Sequence, residues 1–148
     1  MTAAVTLASM GNGPAFSAYK TASQTITAST FTKIVFDTET FDTNSNFASS
    51  TFTPTVAGYY QINANFTTTS TTTTDFIYVT VYKNGAETTR GSHEMPATAN
   101  YPTSVVSTLF YMNGSTDYIE AYGYSNATRS IQTGIPFTSF SAALIRGA

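Results

Sequence analysis

The chain has 148 residues, with six Lys and Arg against eight Asp and Glu for a formal net charge of −2, and it contains neither Cys nor Trp. That length suits one domain, which buries roughly 70% of the surface its unfolded chain exposes and so forms a core without a metal or disulfide staple. The absence of Cys removes disulfide scaffolds, thiolate nucleophiles and Cys-based zinc sites; a lone His93 removes a two-His relay; and the charge balance gives no basic field for nucleic acid or a membrane surface.

Eleven Phe, ten Tyr and thirty Thr argue against disorder and for strands, because branched and ring-bearing side chains suit a pleated, half-buried surface. No segment holds a 3.6-residue apolar period over three turns, so the chain is expected to be all-β. Residues 1–13 are small and uncharged and end in Gly-Asn-Gly. They are either a frayed end or an arm whose Val5, Leu7 and Met10 dock on a neighbour. They carry no charged leader, and no window approaches the ~20 apolar residues of a membrane span, so a soluble protein is expected.

Residues 14–148 form the expected domain. Strands are predicted over 15–20, 32–37, 59–66, 76–83, 105–112, 118–124 and 140–146. In the third, Tyr60, Ile62, Ala64 and Phe66 alternate with Gln61, Asn63 and Asn65, one face dry and one wet. The fourth sets Ile77, Val79 and Val81 against Phe76, Tyr78, Thr80 and Tyr82, and the sixth sets Ile119, Ala121 and Gly123 against Tyr118, Glu120, Tyr122 and Tyr124. Aromatic rings on the second face imply that both faces are covered, by another sheet or another subunit. Asn84-Gly85 and Asn113-Gly114 are hairpin signals, since both residues tolerate positive φ. The run 67–74, seven Thr and one Ser, suits an exposed loop or the end of a ribbon.

Phe36, Asp42, Phe47, Phe52, Gly58 and Tyr60 fall in the order of the C1q-domain signature. Four residues separate Phe47 from Phe52 where that family has six, and Ile62 and Ala64 stand where it has aromatics. With Pro14 to Tyr19 opening the domain, Val81 to Gly85 in its middle and Phe140 to Ile145 closing it, the chain resembles the C1q domain of the C1q/TNF superfamily, shared by complement C1q, secreted relatives and bacterial and bacteriophage proteins. The resemblance implies a ten-stranded jelly-roll sandwich assembled as a homotrimer. Tyr60, Phe66, Tyr118, Tyr122 and Tyr124 are the residues expected at the subunit interface, with core packing as the alternative for each.

Catalysis needs a nucleophile beside a base, a carboxylate pair or an open metal site. His93-Glu94 is an isolated pair on a polar stretch. Asp37, Glu39 and Asp42 lack the spacing of a calcium loop. Some C1q relatives bind calcium, which leaves Glu87, Asp117 and Glu120 as weak candidates; otherwise no metal or cofactor is expected. The chain is expected to be non-enzymatic: a bacteriophage capsid decoration or cement protein on the particle surface, soluble in the host cytoplasm before assembly. Its partners would be itself and the major capsid protein or another virion protein. The alternative is the head of a tail fibre that binds a host surface receptor, with sugars stacking on Tyr78, Tyr82 or Tyr101.

Overall fold

The computed structural model describes residues 13–69, 74–95 and 101–148, which contain strands and turns and no helix. The strands are β1 (Ala15–Tyr19), β2 (Thr25–Ile26), β3 (Thr32–Lys33), β4 (Thr38–Asp42), β5 (Phe47–Ala48), β6 (Thr51–Phe52), β7 (Gly58–Thr67), β8 (Ile77–Lys83), β9 (Ala86–Arg90), β10 (Thr103–Met112), β11 (Ile119–Ser125), β12 (Arg129–Ser130) and β13 (Ser139–Gly147). A five-stranded sheet in the order β10-β7-β13-β1-β4 faces a second sheet in the order β5-β6-β11-β8-β9, with β3 paired to β11 and a small β2–β12 pair beside them. Thirteen strands appear among the described residues where ten are expected; five of them are two-residue pieces and eight are longer. Long-range antiparallel pairing of this kind is a jelly-roll sandwich.

The dry face read from β7 is the inner face: Tyr60, Ile62 and Phe66 are fully buried and Ala64 nearly so. Across the sandwich it meets Ile77, Val79 and Val81 of β8 and Ile119 and Ala121 of β11, all fully buried. Phe16 is the hub at one end, with ring centroids 4.3 Å from Phe47, 4.6 Å from Phe52 and 5.0 Å from Phe140. Phe36 also stacks against Phe140, at 5.4 Å. The C1q-type signature residues therefore converge on one aromatic core. Asp42 accepts the Phe47 amide at 2.8 Å, and a side chain at Gly58 would run into the Arg146 carbonyl.

The Asn84-Gly85 hairpin forms between β8 and β9, whereas Asn113-Gly114 is not a hairpin turn, because β10 and β11, which it joins, lie in different sheets. Asn84 and Gly85 have φ of 53° and 79°, the pair of positive values a tight hairpin requires, and Gly114 has φ of 72°. Asp117 ties the two turns together, accepting from Asn84 Nδ2 at 2.8 Å and the Asn113 amide at 3.0 Å beside Lys83 Nζ at 3.0 Å. The predicted strand over 32–37 stops after Lys33. Val35 and Phe36 turn their amides to Gln24 Oε1 at 2.9 Å and Ser50 Oγ at 2.8 Å, side-chain acceptors that replace the ladder. The run 67–74 begins inside the fold: Thr67 closes β7 and Thr68 bridges Ile131, both buried, whereas 70–73 lie outside the described residues.

Gly13 lies against Leu144, and the Ala148 amide bonds the Ala57 carbonyl, so the described chain begins and ends at one end of the sandwich. The Val5, Leu7 and Met10 arm lies outside the described residues.

Candidate interaction surfaces

Ion pairs among the described residues join Lys20 to Asp37, Lys33 to Glu120, Lys83 to Asp117, Arg90 to Glu87 and Arg129 to Asp75. His93 stacks on Phe76 at 4.6 Å, and no hydrogen bond joins its ring to a hydroxyl or carboxylate among the described residues. Glu94 contributes its backbone, which bridges Ile77. Each carboxylate raised for calcium is held by a cation of its own: Glu87 by Arg90 at 2.9 Å, Asp117 by Lys83 at 3.0 Å, and Glu120 by Lys33 at 2.7 Å. The Arg90 hydrogen bond draws the Glu87 carboxyl below its ordinary range, and Asn84 does the same for Asp117. Burial alone would raise Glu120, but Lys33, Thr51 and Tyr122 outweigh it and lower the group. No group of three or more potential metal ligands forms among the described residues. Asp37, Glu39 and Asp42 are not gathered either, since Asp37 turns to Thr21 and Ala22 while Asp42 caps Phe47.

Two of the five residues expected at the subunit interface are corrected. Tyr60 and Phe66 have no exposed surface within one chain, because they occupy inward positions of β7 beneath β8 and β11. The Tyr60 hydroxyl is spent on the Val56 carbonyl at 2.7 Å, and burial pushes the phenol up to about 12. Tyr118, Tyr122 and Tyr124 are half-buried on the outer face of the six-stranded sheet. There the cross-strand pair Tyr78 and Tyr124 stacks at 4.7 Å and 10°, Tyr82 stacks on Tyr122 at 4.1 Å, and Phe76 lies parallel to both Tyr78 and Tyr124. Phe31 packs edge-on over Tyr78 and Tyr82 and tilts against Tyr124, while the Arg90 guanidinium sits 4.4 Å from the Tyr78 ring. Of the three tyrosines expected to form a ligand face, Tyr78 and Tyr82 are thus neighbours in one bank. Tyr101 precedes β10, in the other sheet, and is not brought to them among the described residues.

The five-stranded sheet carries a group of exposed apolar side chains, while Val35, Met95, Tyr101, Ile135 and Phe137 are exposed singly on connecting segments. Tyr59, Val105, Leu109, Tyr111 and Ile145 are each 43–53% exposed on the outer side of that sheet. Tyr59 and Tyr111 are register partners on β7 and β10 with rings 5.6 Å apart. Together with Leu109, Ile145 and Arg146 they line an open cleft of about 600 Å³ at the end where the chain terminates. Toward the other end the face turns polar: Gln61 Nε2 donates to Ser107 Oγ at 2.9 Å, which donates to Asn63 Oδ1 at 2.9 Å, and Ser139 donates to Asn65. None of the apolar residues on this face was singled out from the sequence. Tyr59 begins a face that otherwise reads as wet, and β10 is apolar on both sides, so alternation marks neither face as outward.

No family model and no curated protein matches the sequence. Solved structures do match the fold: the globular domain of zebrafish complement 1qA aligns with a TM-score of 0.67 at 12% identity, over 92% of this chain and 99% of that one. The chain has the C1q/TNF jelly-roll fold. Murine APRIL gives a TM-score of 0.66 at 11% identity over 90% of this chain and 99% of that one, and the Eiger TNF from S. frugiperda gives 0.64 at 8% over 92% and 95%. Identities this low carry the fold alone, so function is argued from the two outer faces.

Proposed function

We propose that this C1q/TNF-like domain is a non-enzymatic assembly module that forms a homotrimer through the outer face of its five-stranded sheet and serves on the surface of a virus particle. The observation that carries the assembly is the half-exposed set Tyr59, Val105, Leu109, Tyr111 and Ile145 on one sheet face. Aromatic and aliphatic side chains held on a rigid sheet and left open are what an obligate interface buries. The expected interface thus moves from Tyr118, Tyr122 and Tyr124 to the opposite sheet. The virion placement rests on the resemblance to the C1q domain, which bacteriophage proteins are among those to share, and a decoration or cement role would use residues 1–13, with Val5, Leu7 and Met10, as the tether to a capsid protein.

The chain has no native Cys, so single cysteines report on proximity without background. With Leu109 and Tyr59 placed next to the three-fold axis, the one place in a heterologous trimer where equivalent residues meet, Leu109→Cys and Tyr59→Cys should give disulfide-linked pairs under mild oxidation. Thr116→Cys, on an exposed loop, should not. Equal cross-linking at all three positions would reject the interface. Immunogold labelling of the source particle tests the placement, and label absent from the particle would reject it.

A second reading, the receptor-binding head of a tail fibre, is favoured by the tyrosine bank on the six-stranded sheet. In an assembly built through the five-stranded sheet, that bank faces outward.

A further inference from the structure

The two outer faces differ in kind. Tyr59, Val105, Leu109, Tyr111 and Ile145 on the five-stranded face are half exposed, whereas on the six-stranded face Phe31, Phe76, Tyr82, Tyr122 and Tyr124 are half-buried and Tyr78 is buried. The rings of β8 and β11 stack on one another, and Phe31 packs edge-on over Tyr78 and Tyr82. The hydroxyls of Tyr82 and Tyr124 bond no described residue and are not among the buried unpaired atoms, which are Thr68 Oγ1 and Arg129 Nε, so they reach solvent with donor and acceptor capacity unused.

The rim adds oriented polar groups without net charge. Arg90 lies over the Tyr78 ring and is clamped by both Glu87 oxygens at 2.9 Å, and Thr80 Oγ1 donates to Glu87 Oε1 at 3.0 Å. On the other flank Lys33 and Glu120 neutralise each other at 2.7 Å. His93 extends the stack from Phe76 into solvent. Behind Phe31, Ser29 adopts φ of 55° and its amide bonds the Ser125 carbonyl at 2.8 Å, which ties the segment carrying Phe31 to the end of β11.

Ring edges with free hydroxyls, flanked by a carboxylate and a guanidinium that cancel, match a ligand that is rich in hydroxyls and carries no charge. We propose that the Phe76/Tyr78/Tyr124/Tyr82 bank, with Arg90, Glu87 and His93 at its rim, is a binding site for a neutral oligosaccharide. A greasy protein surface would find too little open apolar area here, and an anion would find Arg90 and Lys33 already committed to Glu87 and Glu120. The proposal rests on the receptor-head reading and names its ligand class.

The test uses the full chain and saturation-transfer NMR with four neutral hexaoses, of β-1,4-glucose, α-1,4-glucose, β-1,3-glucose and N-acetylglucosamine, and with hexagalacturonic acid as the charged control. At least one neutral hexaose should show transfer to its ring C–H protons. Affinity should fall about tenfold in Arg90→Gln and in His93→Ala, the loss expected when one rim contact goes. Tyr124→Phe keeps the ring stack and removes one hydroxyl, so it should weaken binding while leaving the thermal midpoint in place, separating ligand contact from folding. No transfer from any neutral hexaose, preference for the acidic one, or binding unchanged in all three variants would overturn the proposal. Host-cell binding that persists without hexaose binding would overturn the sugar class while leaving a receptor role standing.

Discussion

Replacing Phe16 with Ala probes the core that the C1q-type signature builds. Phe16 is fully buried and makes three ring contacts within 5.0 Å. Returning that side chain to water in the unfolded state is worth about 1.5–3 kcal/mol. The vacated space, on the order of 100 Å³, adds about 2 kcal/mol at ~24 cal/mol per Å³ if the sheets do not close over it. The total, about 4 kcal/mol, corresponds to a fall of about 10 °C in thermal midpoint for a chain of this size. Phe41→Ala is the control: Phe41 is 48% exposed on the edge strand β4, and its loss should cost no more than about 0.5 kcal/mol. Both are read by circular dichroism melts and urea titration at one fixed protein concentration, because assembly makes the midpoint depend on concentration. Equal destabilisation by the two variants would refute the placement of Phe16 at the hub.

Leu109 is 49% exposed, so the apolar burial still to be gained there is about 1 kcal/mol per chain; Leu109→Glu forfeits it and sets three carboxylates together, and should shift the assembly to single chains in a sedimentation run without changing the far-UV spectrum. An undisturbed assembly would remove Leu109 from the interface. For Asp37, burial favours the neutral form, but the Thr21 hydroxyl, the Ala22 and Thr21 amides and Lys20 outweigh it and hold the carboxyl at about 2. A depressed carboxyl stabilises above the unfolded-state value near 4 and loses that contribution as pH falls toward 2. Discounted for its exposure, this is about 1 kcal/mol. Urea titrations should therefore find Asp37→Asn less stable than the parent at pH 7, with the difference shrinking as pH falls from 4 toward 2, and a constant difference across that range would contradict the assignment. Gly114→Ala combines a φ of 72° with a Cβ that would collide with the Val56–Ala57 backbone, and should cost about 2 kcal/mol or more by thermal melt; a neutral result would show that the 113–117 turn relaxes freely.

Much of the sandwich is readable from residue pattern. Strand β7 announces itself because its buried and open positions differ in polarity, and the Asn84-Gly85 hairpin because its chemistry is local; Asn113-Gly114 carries the same local signal but crosses between the sheets. The signature residues are readable as well, and in the structure they explain a core: Phe36, Phe47, Phe52 and Tyr60 pack inward, and Asp42 caps Phe47. Strand β9 escapes because Ala86 to Arg90 is a polar edge with no dry face. The short strands β2, β5, β6 and β12 escape because two residues carry no period. Which outer face is left open is hidden for a related reason. A period of two separates Tyr59 from Tyr60 but does not say which points at the other sheet, and on β8 and β11 it signals a covered second face without revealing that Phe31 and Arg90, from the same chain, do the covering.

The most direct measurement is the mass of the protein in solution, by sedimentation equilibrium at micromolar concentration. Assembly through the face of Tyr59, Val105, Leu109, Tyr111 and Ile145 predicts a species of three times the 15.8 kDa chain mass that Leu109→Glu converts to single chains. A parent protein that sediments as a single chain at those concentrations would contradict the account.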